Sequence, residues 1–170
     1  QHGRNKGLAE AFRTEMKACQ ELGADIIIQI DADGQYVAKH IPELIEKVKE
    51  GYDLVLGTRF KFKVKHMPWI NFLGNKAFAR VISSLIKTKI SDTTTGFRAF
   101  TQEVASGINY INTFTFTQEQ IIKASMQGFS IAEVPVHTRE TRGSRLFKSP
   151  FEYAARAWIN IFRIYRDYNP

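Results

Sequence analysis

The chain has 170 residues and a mass of 19.5 kDa, with 44% apolar and 24% charged residues. Those values suit one globular domain and exclude a disordered, collagen-like or low-complexity chain. Lys and Arg exceed Asp and Glu by 24 to 17, a formal charge of +7 that favours anionic partners.

The basic excess is local. Arg59 to Lys89 holds eight basic residues and no acid, and Arg139 to Pro170 holds seven against three. Nucleic acid, a membrane surface or a phosphorylated small molecule each fit such a distribution. The longest aliphatic run, Ile26-Ile27-Ile28, is far short of a bilayer span. The single cysteine, Cys19, forms no internal disulfide and suits a reducing compartment.

Leu8, Phe12, Met16, Cys19 and Leu22 recur at helical spacing, which predicts an amphipathic helix over 8–22 ended by Gly23. Ala24 to Ile30 is nearly all apolar, the pattern of a strand buried on both faces. Pro42 fits the first turn of a helix reaching Glu50, and Asp53 to Leu56 predicts a second buried strand. A long helix over 69–88 follows, then a Thr-rich turn from Asp92 into a short extended piece ending at Phe100. A helix over 117–126, a strand over 130–137 that Pro135 marks as an edge, and a helix over 150–167 complete the chain. On that last helix Phe151, Ala155, Trp158, Phe162 and Tyr165 form one expected apolar stripe. Alternating helices and strands with tight connections predict an α/β fold with a mostly parallel sheet. The strand at 24–30 needs neighbours on both sides, so a further strand is expected upstream of Gln1.

The chemistry-bearing stretch is Asp31-Ala32-Asp33-Gly34-Gln35, at the carboxyl end of the first strand. Open α/β sheets bind ligands outside those strand ends. Extended residues two apart point the same way, so both carboxylates and the Gln35 amide face one place. Such hard oxygen ligands suit Mg²⁺ or Mn²⁺. A purely structural alternative has Asp31 capping a helix and Asp33-Gly34 forming a turn. Two adjacent carboxylates repel, which favours a cation between them. Glu119 reads equally as a catalytic acid or a first-turn helix carboxylate. Arg59-Phe60-Lys61-Phe62-Lys63 alternates bases with aromatics, which keeps a nucleic-acid-binding module as an alternative, although no RNP, zinc or recognition-helix pattern accompanies it.

Further motifs surround that stretch: Asn5-Lys6-Gly7-Leu8-Ala9, Gly57-Thr58-Arg59, Asp92-Thr93-Thr94-Thr95-Gly96-Phe97-Arg98, Glu133-Val134-Pro135-Val136 and Arg142-Gly143-Ser144-Arg145. In this order the set resembles the family 2 glycosyltransferases of GT-A fold. Within them it is most similar to the dolichyl-phosphate mannose synthase and polyprenyl-phosphate glycosyltransferase branch. The resemblance implies a GT-A core over 1–138, lacking an upstream nucleotide-holding segment, and a basic, membrane-facing segment with an amphipathic helix over 139–170. It implies inverting, metal-dependent transfer of a sugar from a nucleoside-diphosphate sugar to a polyprenyl phosphate at the cytoplasmic membrane surface. A family member with a soluble or saccharide acceptor is the alternative.

Carried over by motif, Asn5 and Gly7 face the nucleotide, and Asp31, Asp33 and Gln35 hold the metal and diphosphate. Arg59 contacts phosphate, Asp92 lies by the sugar and acceptor, and Arg139, Arg142 and Arg145 face the lipid phosphate. The chain departs from many relatives at Met67-Pro68-Trp69-Ile70-Asn71, where they carry an arginine. It lacks the Gln-x-x-Arg-Trp signature of processive polysaccharide synthases.

Overall fold

Leu8–Glu21 form helix α1, which buries Phe12 and Met16 of the expected row together with Ala9, whereas Leu22, expected on that row, follows the last helical residue and is 84% exposed. These coordinates come from a computed structural model that describes residues 7–62, 67, 69–109, 116–139 and 150–168. Strand β1 is Ile26–Gln29. A 3-10 turn over Ala38–His40 leads into α2, Ile41–Lys49, with Pro42 in the first turn, where its missing N–H costs nothing. Strand β2, Leu54–Thr58, is buried throughout, and α3 is Trp69–Ile86. Strand β3, Arg98–Thr101, runs into α4, Gln102–Gly107, a short helix absent from the sequence reading. The Thr101 hydroxyl caps it by accepting from the Val104 N–H at 3.4 Å. Helix α5, Phe116–Met126, strand β4, Ile131–Pro135, and helix α6, Pro150–Tyr168, follow.

The α/β layering agrees with the sequence expectation, and the sheet is mixed. Its order is β1-β3-β2-β4. β2 and β4 are parallel, with Val55 opposite Ala132, whereas β3 lies antiparallel between β1 and β2. Three strands thus share one direction and β3 opposes them. The reason β3 takes the centre is burial: Phe97, Ala99 and Phe100 are all fully inaccessible, which requires cover on both faces and both edges. The short extended piece of the sequence reading is the middle of the sheet. β4 lies at an edge, as Pro135 implied. Among the described residues β1 forms the other edge.

Side chains divide by the two-residue period of the strands. Leu54, Leu56 and Phe100 join Phe12, Phe78, Ile82, Ile121 and Ile161 on the face covered by α1 and α3–α6. Val55, Ala99 and Phe97 join Leu44, Val48 and Val134 on the face covered by α2. Helix α6 corrects the expected stripe. Its inward row is Ala157, Ile161 and Ile164, while Ala155 and Phe162 face solvent and Trp158 packs against Phe78 with ring centroids 4.7 Å apart. Both rows keep four- and three-residue steps, so spacing alone cannot choose between them; the shape of the α3–α5 surface does. Among the described residues no helix is long and apolar enough to cross a membrane.

Candidate active site

Strand direction builds the site. β1, β2 and β4 end at one edge of the sheet, and β3, running the opposite way, begins there. The segments after β1 (Asp31–Tyr36), after β2 (Arg59) and after β4 (Val136–Arg139) therefore meet the turn that precedes β3 (Asp92–Phe97).

The Asp31 carboxylate presses on that turn. A Cβ placed on Gly96 would lie 1.9 Å from Asp31 Oδ2 and 2.4 Å from its Cγ, so only glycine leaves room for the carboxylate. Burial first, and the Asp33 charge second, push the Asp31 carboxyl above its ordinary range, against the pull of Arg98 and Arg59. Asp33 makes the turn anticipated as its structural role: its Oδ1 accepts from the Gln35 N–H at 2.9 Å, with Gly34 at φ 80°. Tyr36 is buried, and its hydroxyl accepts from the Gly96 N–H at 3.1 Å and contacts the Thr95 hydroxyl at 3.3 Å. The Arg139 N–H donates to the Gln35 carbonyl at 2.8 Å, which sets Arg139 beside the aspartate segment.

Arg59 and Asp92 form a buried pair. Nε and Nη2 of Arg59 donate to the two Asp92 oxygens at 2.6 and 2.7 Å, and Nη2 also reaches the Thr94 hydroxyl at 2.7 Å. Burial works against the guanidinium charge, but the Asp92 hydrogen bonds and charge outweigh it and raise the Arg59 pKa further. The Thr94 hydroxyl continues to Asn75 Oδ1 at 2.9 Å, tying the pair to α3. Glu133 supports the turn from β4 by accepting from the Ser91 N–H at 2.8 Å and the Asp92 N–H at 3.0 Å. Arg98, fully buried, donates to the carbonyls of Thr95, Thr117 and Thr93 and to Gln120 Oε1.

Of the residues singled out from sequence, the structure brings Asp31, Asp33, Gln35, Arg59, Asp92 and Arg139 to this edge. Gly7 opens α1 at φ 89°, and its carbonyl accepts from the Ala11 N–H at 3.2 Å. Asn5, Arg142 and Arg145 lie outside the described residues. Glu119 is fully buried and paired with Lys123 at 2.6 Å, a structural placement. The aromatics of the Arg59–Lys63 stretch meet protein rings: Phe60 meets Phe72 edge-on and Phe62 stacks on His137. The sequence by itself gives no individual role to Tyr36, Thr94, Arg98 or Gly96. Tyr36 follows the aspartate stretch directly, but only the fold shows what its hydroxyl reaches.

Among the described residues no cluster of three or more His, Cys, Asp or Glu forms a metal cage. Residues 32–34 turn instead of continuing the extended backbone expected to aim Asp31, Asp33 and Gln35 one way; the oxygen set on this turn is two carboxylates whose charges interact and an amide. It fits a hard divalent ion that keeps positions for a ligand's phosphates. The raised Asp31 carboxyl, crowded by Asp33, is a group that a cation would relieve.

The residues 1–108 match the model of the glycosyl transferase family 2 domain, and the chain belongs to that family. It is 36% identical over 139 residues to a dolichyl-phosphate hexose transferase of Haloferax volcanii, covering 82% of this chain and 60% of that protein. It is 32% identical over 149 residues to a UDP-N-acetylglucosamine–dolichyl-phosphate N-acetylglucosaminyltransferase of Methanococcus voltae, covering 84% and 59%. The chain thus spans about three-fifths of these relatives. The fold matches glucosyl-3-phosphoglycerate synthase of Mycobacterium tuberculosis, solved with Mn²⁺, UDP and phosphoglyceric acid, at a TM-score of 0.68 and 15% identity over 96% of this chain and 54% of that one. The fold is that of GT-A enzymes.

Proposed function

We propose that this chain carries the fold and site of a metal-dependent glycosyltransferase that moves a hexosyl group from a nucleoside-diphosphate sugar to a polyprenyl phosphate at the cytoplasmic surface of a membrane. The observation that carries the reading is the meeting of Asp31, Asp33 and Gln35 with the Arg59–Asp92 pair at one sheet edge, in a family whose similar members are named for transfer to dolichyl phosphate. Residues 1–138 supply the core, and residues 139–170 supply the basic segment and the helix that meets the membrane.

Asp31, Asp33 and Gln35 would hold a Mg²⁺ or Mn²⁺ ion, which when bound neutralises the leaving diphosphate. Asn5 and Gly7 face the nucleotide. Arg59 Nη1, without a hydrogen bond among the described residues, is the donor left for a phosphate oxygen, because Nε and Nη2 are engaged by Asp92 and Thr94. Asp92 therefore acts as a positioning carboxylate, its oxygens accepting from Arg59 and from the Thr94 N–H. The acceptor needs little base, since a phosphate monoester has a second pKa of about 6. Its oxygen attacks the anomeric carbon as the bond from that carbon to the diphosphate breaks, inverting the centre. Arg139, Arg142 and Arg145 hold the acceptor phosphate through charge-assisted bonds.

The test is transfer of labelled hexose from UDP and GDP sugars to a short polyprenyl phosphate, with and without Mn²⁺. Asp33→Asn should lower metal-supported nucleotide binding by more than the roughly 10–100-fold that outer-shell changes cost, with the fold intact. Equal binding by variant and parent, or transfer only to a soluble acceptor, would sink the reading.

Asp31 adds a pH signature. Its raised native pKa means that the native state binds more protons than the unfolded chain, over a window that opens at the ordinary carboxylate value of 3.8. Its contribution to stability therefore falls as pH rises through that window, and ionised Asp31 is a cost at neutral pH. Asp31→Asn should raise the metal-free Tm by roughly 2 °C at pH 7 while abolishing any rise on adding Mn²⁺. Calorimetry with and without the metal reads both signs.

A further inference from the structure

Beyond Pro135 the chain runs on along the sheet, and three of its next N–H groups are bound. The Val136 N–H donates to the Thr58 carbonyl at 3.0 Å, on the side of β2. Backbone N–H groups two residues apart in an extended segment share a side, so those of His137 and Arg139 face away from β2. There Thr138 stands opposite Tyr36, and the Arg139 N–H reaches the Gln35 carbonyl at 2.8 Å. The His137 N–H donates to a side chain instead, Nε2 of His40, at 3.2 Å. Of these three bonds that one alone depends on a residue type.

His40 closes the 3-10 turn before α2 and is 5% exposed. A backbone N–H can only donate, so Nε2 is an acceptor and carries no proton. The ring proton then sits on Nδ1, which faces the Glu43 carboxylate oxygens at 3.1 and 3.2 Å. Among the described residues Glu43 of α2 and the His137 ring, its centroid 5.6 Å away, are the titratable groups that meet the imidazole. A second proton, on Nε2, would set N–H against N–H and break the bond to His137. Arg139, exposed, follows two residues later.

We propose that His40 is a positioning residue for the acceptor side of the site: its neutral imidazole holds the Val136–Arg139 segment against the aspartate segment and so aims Arg139 at the phosphate of the lipid acceptor. The inference deepens the lipid-acceptor reading and rests on it for the role of Arg139.

Long-range proton–nitrogen spectra of the His40 ring at about pH 8 should show the proton on Nδ1 and none on Nε2. His40→Leu keeps the bulk and removes the acceptor, and should cut hydrogen-exchange protection of the His137 amide about tenfold. In the whole protein the same variant should raise KM for a short polyprenyl phosphate about tenfold with kcat and Mn²⁺–UDP affinity unchanged, the signature of lost binding. His40→Gln, which offers an amide oxygen near the Nε2 position, should restore most of that KM. It should also flatten the rise of KM toward acid pH relative to the parent, because the acceptor's own titration is common to both. A proton on Nε2, a parent-like KM in the Leu variant, or an equal fall of kcat and UDP affinity would overturn the role. A parent that transfers nothing to polyprenyl phosphate counts against the transferase reading; the hold on the segment is then judged by the ring tautomer and the His137 amide.

Discussion

Asp92→Ala should destabilise the fold by about 3–5 kcal/mol, the cost of leaving a buried charge without its partner. Arg59 is 8% exposed and Asp92 fully buried, so water cannot replace the lost carboxylate. The variant also strips acceptors from the Arg59 and Thr94 N–H groups, at 3.2 and 3.3 Å. At about 2–4 °C per kcal/mol for a domain of this size, Tm should fall by roughly 10 °C or more. The double variant Arg59→Met, Asp92→Leu should recover much of that loss, since it removes both charges together. Denaturant titration of the single and double variants checks this. A single variant within about 1 kcal/mol of the parent would show that the pair is solvated and that Asp92 is available for other chemistry.

Gly96→Ala should do the opposite: little damage to the fold and a large loss at the site. The added methyl claims space held by the Asp31 side chain, with Oδ2 at 1.9 Å, Cγ at 2.4 Å and Oδ1 at 2.7 Å. The three atoms nearest to that methyl all belong to the Asp31 side chain, so the relief is a rotation of Asp31 away from the turn. The expected cost in stability is about 1 kcal/mol, near the middle of the range for point changes. Mn²⁺-supported UDP binding should drop about 100-fold, as when a ligand is withdrawn, because a carboxylate displaced by an ångström or more cannot share a cation with Asp33. Isothermal titration of UDP with Mn²⁺ reads the loss, and unchanged affinity would remove Asp31 from the proposed metal set.

Much of this was legible in the linear sequence. The helices α1, α2, α3 and α5 and the strands β1 and β2 follow from apolar spacing, Pro42 and the glycines, because local periodicity reports burial directly. The aspartate stretch announced itself by two like charges at a strand end, a pattern that packing alone disfavours. The tertiary structure alone decided the rest. β3 is four residues long, and nothing local says that it reverses direction and fills the sheet centre; its place follows from the burial demanded by Phe97, Ala99 and Phe100 together. That reversal delivers Asp92 and Gly96 to the same edge as Asp31 and Arg59. The pairing of Arg59 with Asp92, the Tyr36 bond to Gly96 and the Glu133 bonds to Ser91 and Asp92 span 33, 60 and 42 or 41 residues. Sequence reads the periodicity of neighbours, whereas contacts at that separation exist only once the sheet has ordered its strands. The inward face of α6 was likewise chosen by the surface it meets, since two of its rows carry the same spacing.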